Sequence, residues 1–178
     1  MMYTRFLTYF LADFTVNIIG YCINPFLPLF ADSEGNLPSW LRWFQTYDST
    51  LDGKEPRFID ATSWLRDDTG APKNALCKFL CRVCWLYRNN AYGFAYSILG
   101  ATAPFNTLEA VGVDVSDRAP AVEGSFYTIF EDAEGARYFQ YKFVKDRGNG
   151  KCYEASIGWK AGSGQFVARW TPFRAWNG

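Results

Sequence analysis

Histidine is missing from all 178 residues. Its absence excludes Ser-His-Asp and Cys-His nucleophile systems, the Cys/His zinc finger and a histidine proton shuttle. Charge is sparse, at 20% of residues, and 18 Lys plus Arg cancel 18 Asp plus Glu to a net of zero. Neither a Walker pattern nor G-x-G-x-x-G occurs, so the chain has no Gly-rich phosphate cradle; Gly162-Ser163-Gly164 reads as a hairpin turn. Internal repeats and low-complexity tracts are also missing. The five cysteines, Cys22, Cys77, Cys81, Cys84 and Cys152, are odd in number and three fall within eight residues. That distribution points to a reducing compartment rather than a disulfide framework. A secretory signal is not expected, since residues 1–31 carry Arg5 as their one cation and Asp13 inside the apolar run.

What is present is apolar and aromatic: 49% hydrophobic, with 7 Trp, 11 Tyr and 16 Phe. Such a chain can bury a core, as a single domain with a terminal appendage. The division read from composition is an apolar segment, 1–31, followed by one α+β domain, 32–178.

The run Phe6–Phe30 is the most hydrophobic stretch and is long enough for a bilayer core. Asp13, Asn17, Asn24, Pro25 and Pro28 interrupt it. One Asp costs about 2.5–3.5 kcal/mol on insertion scales against about 0.3–0.6 gained per Leu, Ile, Phe or Val, so the sum lies near zero. A helix is predicted over residues 4–22, ended ahead of Pro25. Leu7, Phe10, Leu11, Phe14, Ile18 and Tyr21 recur at spacings of three and four as one apolar face. The first reading of that face is docking on the protein's own core; interfacial membrane contact through residues 4–30 comes next, and a span last.

Residues 32–72 are turn-rich and hold eight acids against four bases, a net of −4. A short helix over Ser39–Phe44 gathers Trp40, Trp43 and Phe44. Residues 73–103 hold Lys73, Lys78, Arg82 and Arg88 and no acid, a net of +4. They open with an amphipathic helix whose apolar side is read as Ala75, Leu76, Phe79, Leu80, Val83, Leu86 and Tyr87, started by Asp68 or Thr69 ahead of Pro72. Beyond Pro104, alternation predicts four strands, 125–131, 138–145, 152–159 and 165–170, joined by Gly-rich turns at 147–150 and 161–164. The expected fold class is α+β: an amino-terminal apolar helix and a central amphipathic helix packed on a carboxy-terminal antiparallel sheet of about four strands, with one face of this meander buried.

Cys77, Cys81 and Cys84 match the C-x3-C-x2-C spacing of radical S-adenosylmethionine enzymes. Cluster ligation needs thiolates converging from a loop, however, and these lie mid-helix, where small residues pack. No cofactor and no metal site is expected. Asp48, Asp52 and Asp60 are the weak catalytic candidates, as carboxylates for acid–base work. Asp48 beside Ser49-Thr50 and the Leu51-Asp52-Gly53 turn have simpler local roles. The basic helix could hold phosphates through Arg82 and Arg88, but four cations are few and nucleic acid is not expected as a partner. Trp40, Trp43, Trp64 and Trp176 are the candidate anchors for a protein partner.

The run Phe26-Leu27-Pro28-Leu29-Phe30-Ala31 leading to Leu37-Pro38-Ser39-Trp40-Leu41, then Trp43-Phe44-Gln45-Thr46, Leu51-Asp52-Gly53, Trp85-Leu86-Tyr87-Arg88-Asn89 and Ala91-Tyr92-Gly93-Phe94, resembles a family of small uncharacterised proteins of tailed bacteriophages. So do Ile157-Gly158-Trp159-Lys160, Gln165-Phe166-Val167 and Pro172-Phe173 near the carboxy terminus. The chain departs from that pattern at Tyr47 and Asn90, where proline is expected. The resemblance implies no activity, cofactor or catalytic residue. It implies a setting, the host cytoplasm against the inner membrane. The function expected is that of a phage accessory protein binding a host or phage protein. The alternatives are a small carboxylate-dependent hydrolase or nuclease-like enzyme using Asp48 and Asp52, or a minor virion component.

Overall fold

Alternation in the carboxy-terminal half is realised as five strands, not four, in the computed structural model, which describes residues 2–176. The strands are β1 (Asn106–Gly112), β2 (Gly124–Glu131), β3 (Arg137–Asp146), β4 (Lys151–Trp159) and β5 (Phe166–Ala175), all antiparallel and in sheet order 1-2-3-4-5. The unforeseen strand, β1, is exposed at every residue. With no buried side it has no alternation to read. β5 runs past Pro172, because at the sheet edge a missing N–H breaks no ladder bond.

Helices precede the sheet: α1 (Met2–Ile23), α2 (Pro56–Ala61), α3 (Ala75–Arg88) and α4 (Tyr92–Ser97), with 3-10 turns at Leu27–Phe30, Ser39–Phe44 and Ser63–Leu65. The chain is thus α+β, as its patterning indicates. Two compact units are present: unit 1 comprises residues 1–10 and 99–178, and unit 2 residues 11–98.

In unit 1 both faces of the sheet bury side chains, so the expectation of one buried face is corrected. On one side Trp159 is surrounded by Phe6, Tyr9, Tyr138, Phe139 and Phe166. A second cluster joins Val115, Val144 and Cys152, with Phe126 and Trp176 against it. The first turns of α1 dock here: Phe6 meets Phe139, Trp159 and Phe166, and Arg5 donates to the Arg137 carbonyl while lying over the Tyr138 ring.

Unit 2 is built on Leu27, Leu37, Leu41, Phe44, Leu51, Phe58, Trp85 and Leu86, with Val16, Ile23, Ala31 and Cys84 packed against them. Buried Gln45 ties the connection together, accepting from the Leu37 amide and donating to the Ser49 carbonyl. Gly93 is required where α4 meets the Ser39–Phe44 turn, since a Cβ there would strike the carbonyls of Arg42 and Gln45. α3 starts later than expected: its cap is Asn74, whose Oδ1 accepts from the Cys77 amide, and not Asp68 or Thr69. Asp67 closes a separate turn, accepting from the Thr69 and Ala71 amides.

Candidate interaction surface

In α1, the side chains that periodicity nominates for the core are outside. Leu11, Phe14, Ile18 and Tyr21 are 56%, 55%, 50% and 54% exposed, whereas Gly20 is the one fully buried residue of the helix. Docking on the core does occur, but through the opposite side. At 100° per residue, Asp13, Val16, Asn17, Gly20 and Ile23 share the inward face. Asn90 donates to both the carbonyl and the side chain of Asn17 and accepts from Asn24. Gly20 is small because any Cβ would collide with the Asn90 side chain. Polar residues therefore face the protein, and large apolar residues face out.

In α3 the buried side is turned from the one predicted. Of the side read as apolar, Leu76 and Tyr87 are exposed and Phe79, Leu80 and Val83 are half-buried. The inward side carries Cys81, Arg82 and Trp85. Leu86 alone of the predicted face is fully buried. Tyr21 and Tyr87 stack at 5.9 Å, and the Tyr87 hydroxyl donates to the Tyr21 carbonyl, so the outward sides of α1 and α3 meet within unit 2. Phe26, Leu29 and Phe30 of the same unit are exposed, with Phe30 edge-on to exposed Trp40 at 5.8 Å.

Asp13 is the acid on the inward side of α1. Burial pushes its carboxyl up to about 6, partly offset by a hydrogen bond from Asn17. The folded protein thus holds a proton that the unfolded chain releases near 3.8. Between those values the unfolded state binds fewer protons, so this group's contribution to stability falls as pH rises through about 6. Asp13→Asn is expected to raise the thermal midpoint near neutrality and to leave it unchanged at the acid end of that window. Melts of both proteins across the range check this; equal midpoints at neutral pH would contradict it.

The other sequence candidates fall into separate places. Trp40, Trp43 and Trp64 are exposed, as partner anchors must be. Trp176 is not: it is half-buried against Val115, Val144 and Cys152. Arg82 is buried and held by Asp52, its Nε 2.6 Å from Oδ1 and its Nη2 3.1 Å from Oδ2. Arg88 pairs with Glu55 at 2.7 Å and lies over the rings of Phe58 and Trp85. Both arginines therefore join the acidic segment to the basic helix. Asp52 is engaged by Arg82, while Asp48 and Asp60 are exposed on separate elements. No group of three or more His, Cys, Asp or Glu suited to a metal occurs among the described residues. Cys77 and Cys84 are half-buried and Cys81 is buried, its thiol pushed up by that burial and hence kept neutral. The missed feature is the inverted face of α1. Asp13, Asn17 and Gly20 recur at helical spacing on one side, and that polar stripe was its available signal.

A family model described as a family of unknown function, DUF7338, matches residues 1–177. No curated protein and no solved structure matches the chain.

Proposed function

The chain belongs to DUF7338, a family of unknown function, and we propose that it is a non-enzymatic accessory protein that lies on a membrane through the outward face of α1 and binds a protein partner there. The observation that carries this reading is the inverted helix. α1 is 22 residues long with mean hydropathy 1.5 in its most apolar window, yet only 6% of that window is buried. A core helix would be buried, and a solvent-facing helix would turn its polar side out. Lipid is the environment in which outward Leu11, Phe14 and Ile18 and inward Asp13 and Asn17 are both favourable. The helix lies on the bilayer instead of crossing it, because its inward side is bonded to unit 2 along Asn17, Gly20 and Asn24. On the resemblance to small tailed-bacteriophage proteins, the membrane is taken as the inner membrane of an infected host and the partner as a host or phage protein. Exposed Trp40 and Trp64 are the anchors proposed for that partner.

Flotation with phosphatidylethanolamine–phosphatidylglycerol vesicles tests the membrane contact. A fully buried Leu, Phe or Ile contributes about 2 kcal/mol, and the three residues are about half exposed, so Leu11→Ser, Phe14→Ser and Ile18→Ser together should remove about 3 kcal/mol, or about a hundredfold in partitioning. The wild type is expected to float and the triple variant, with unchanged circular dichroism, to remain below. Wild-type protein that stays at the bottom of the gradient would refute lipid contact.

A further inference from the structure

We infer that unit 2 carries a binding site for a phosphate group, in the hollow bounded by the Asp52–Lys54 loop, α2 and the start of α3. The hollow has a volume of about 280 Å³ and is lined by Lys54, Ile59, Arg66, Pro72, Lys78 and Cys81, together with Asp52, Gly53 and Gly70. Among the lining residues, Arg66 is a guanidinium that is only 7% exposed. Nε donates to the Thr62 hydroxyl at 2.8 Å and Nη1 to the Gly70 carbonyl at 2.8 Å, while Nη2 has no hydrogen-bond partner. Among the described residues no carboxylate forms an ion pair with Arg66. The Phe58 ring, which is uncharged, lies 5.5 Å from Cζ. A guanidinium stays protonated, so burial without a counter-ion is unfavourable unless an anion completes the site.

The rest of the lining has the matching sign. Lys54 and Lys78 add two positive charges; Lys78 Nζ lies 3.9 Å from Asp52 Oδ2 and 3.5 Å from the Ser33 carbonyl. The one acid, Asp52, is matched by Arg82, whose fork grips both its oxygens. Cys81 contributes no negative charge, because burial keeps its thiol protonated. Three cations thus surround the hollow with their acid already matched, and such a surplus favours a multiply charged oxyanion over a single carboxylate. Thr62 and Gly70 fix the guanidinium, and Nη2, buried and without a partner, is the donor left for an oxyanion, the group that arginine's planar N–H donors suit. This site is independent of the membrane contact proposed above.

Calorimetric titration of the whole protein with inorganic phosphate in chloride buffer tests it. One saturable site is expected. Lys54→Gln with Lys78→Gln, which leaves the buried Arg66 framework intact, should weaken binding about tenfold or more, as loss of charge-assisted contacts implies. Arg66→Met should abolish it; because Arg66 also bonds Thr62 and Gly70, near-ultraviolet circular dichroism accompanies that variant, and the lysine pair alone decides if it misfolds. Soluble short-chain phosphatidylglycerol that displaces phosphate would identify a lipid headgroup as the source, and failure to displace it a free phosphate. Absence of a saturable signal in the wild type, or equal affinity in the lysine double variant, would overturn the site.

Discussion

Trp159→Ala is expected to lower the free energy of unfolding by about 3–5 kcal/mol, within the range for removing a large buried aromatic. Trp159 is 0% exposed, and the rings of Phe6, Tyr9, Tyr138, Phe139 and Phe166 stand 5.1 to 6.1 Å from it. Truncation leaves a void that five rings held by three elements, α1, β3 and β5, cannot close without leaving their own contacts. The indole Nε1 also donates to the Leu99 carbonyl at 2.7 Å, a buried bond that an alanine cannot replace. Domains are stable by about 5–15 kcal/mol, so the loss is a large share of the whole. Urea unfolding followed in the β region of the circular dichroism spectrum measures it. Trp64→Ala is the control, since that exposed side chain should change stability by less than about 0.5 kcal/mol. Equal effects at the two positions would mean that Trp159 is not the centre of unit 1.

Arg174→Met should cost about 3 kcal/mol, at the lower end for breaking a buried ion pair because Arg174 is one-third exposed. Its Nε lies 2.6 Å from Asp117 Oδ2 and 3.4 Å from Glu154 Oε2, and the two carboxylates are 7% and 3% exposed. Arg169 reaches the other oxygen of Glu154 at 2.7 Å, so Glu154 keeps one partner in the variant and Asp117 loses its ion pair with Arg174. Burial raises the Asp117 carboxyl, but the hydrogen bond and charge of Arg174 outweigh it and leave the group below its ordinary value. An acid so lowered stabilises the fold above its unfolded value and loses that contribution as pH falls through its folded one. The variant should therefore be less stable near neutrality and should lose less on acidification than the wild type. Denaturation midpoints at neutral and acid pH check both signs, and parallel acid limbs would sink this account of Asp117.

Patterns that depend on local chemistry were legible in the sequence. β2, β3 and β4 lie within one residue of the alternating runs that indicate them, and the Gly148 and Gly150 turn sits where the glycines put it. β1 was not legible, since an edge strand exposed throughout carries no burial signal. Helix positions are legible in the sequence and helix faces are not. The rule that apolar residues face the core assigned Leu11, Phe14 and Ile18 in α1, and Leu76 and Tyr87 in α3, to the wrong side. In α3 the rule failed because Arg82 finds Asp52, thirty residues earlier, and an ion pair across that separation leaves no local mark. The opposite charges of residues 32–72 and 73–103 were its trace, and Arg88 with Glu55 is a second instance. Among the candidate anchors, Trp40, Trp43 and Trp64 are exposed and Trp176 is half-buried, a distinction that composition cannot make.

The five unpaired cysteines differ sharply in how open they are. Cys22, at the end of α1, is exposed; Cys77 and Cys84 are half-covered, and Cys81 and Cys152 are buried. Cys22 is adjacent to Tyr21 on the outward side of the helix, so a maleimide dye added to the native protein reacts there first. Native chemistry has thus set a single convenient attachment point beside the apolar surface, where the colour of a solvent-sensitive fluorophore reads how deeply that surface is immersed.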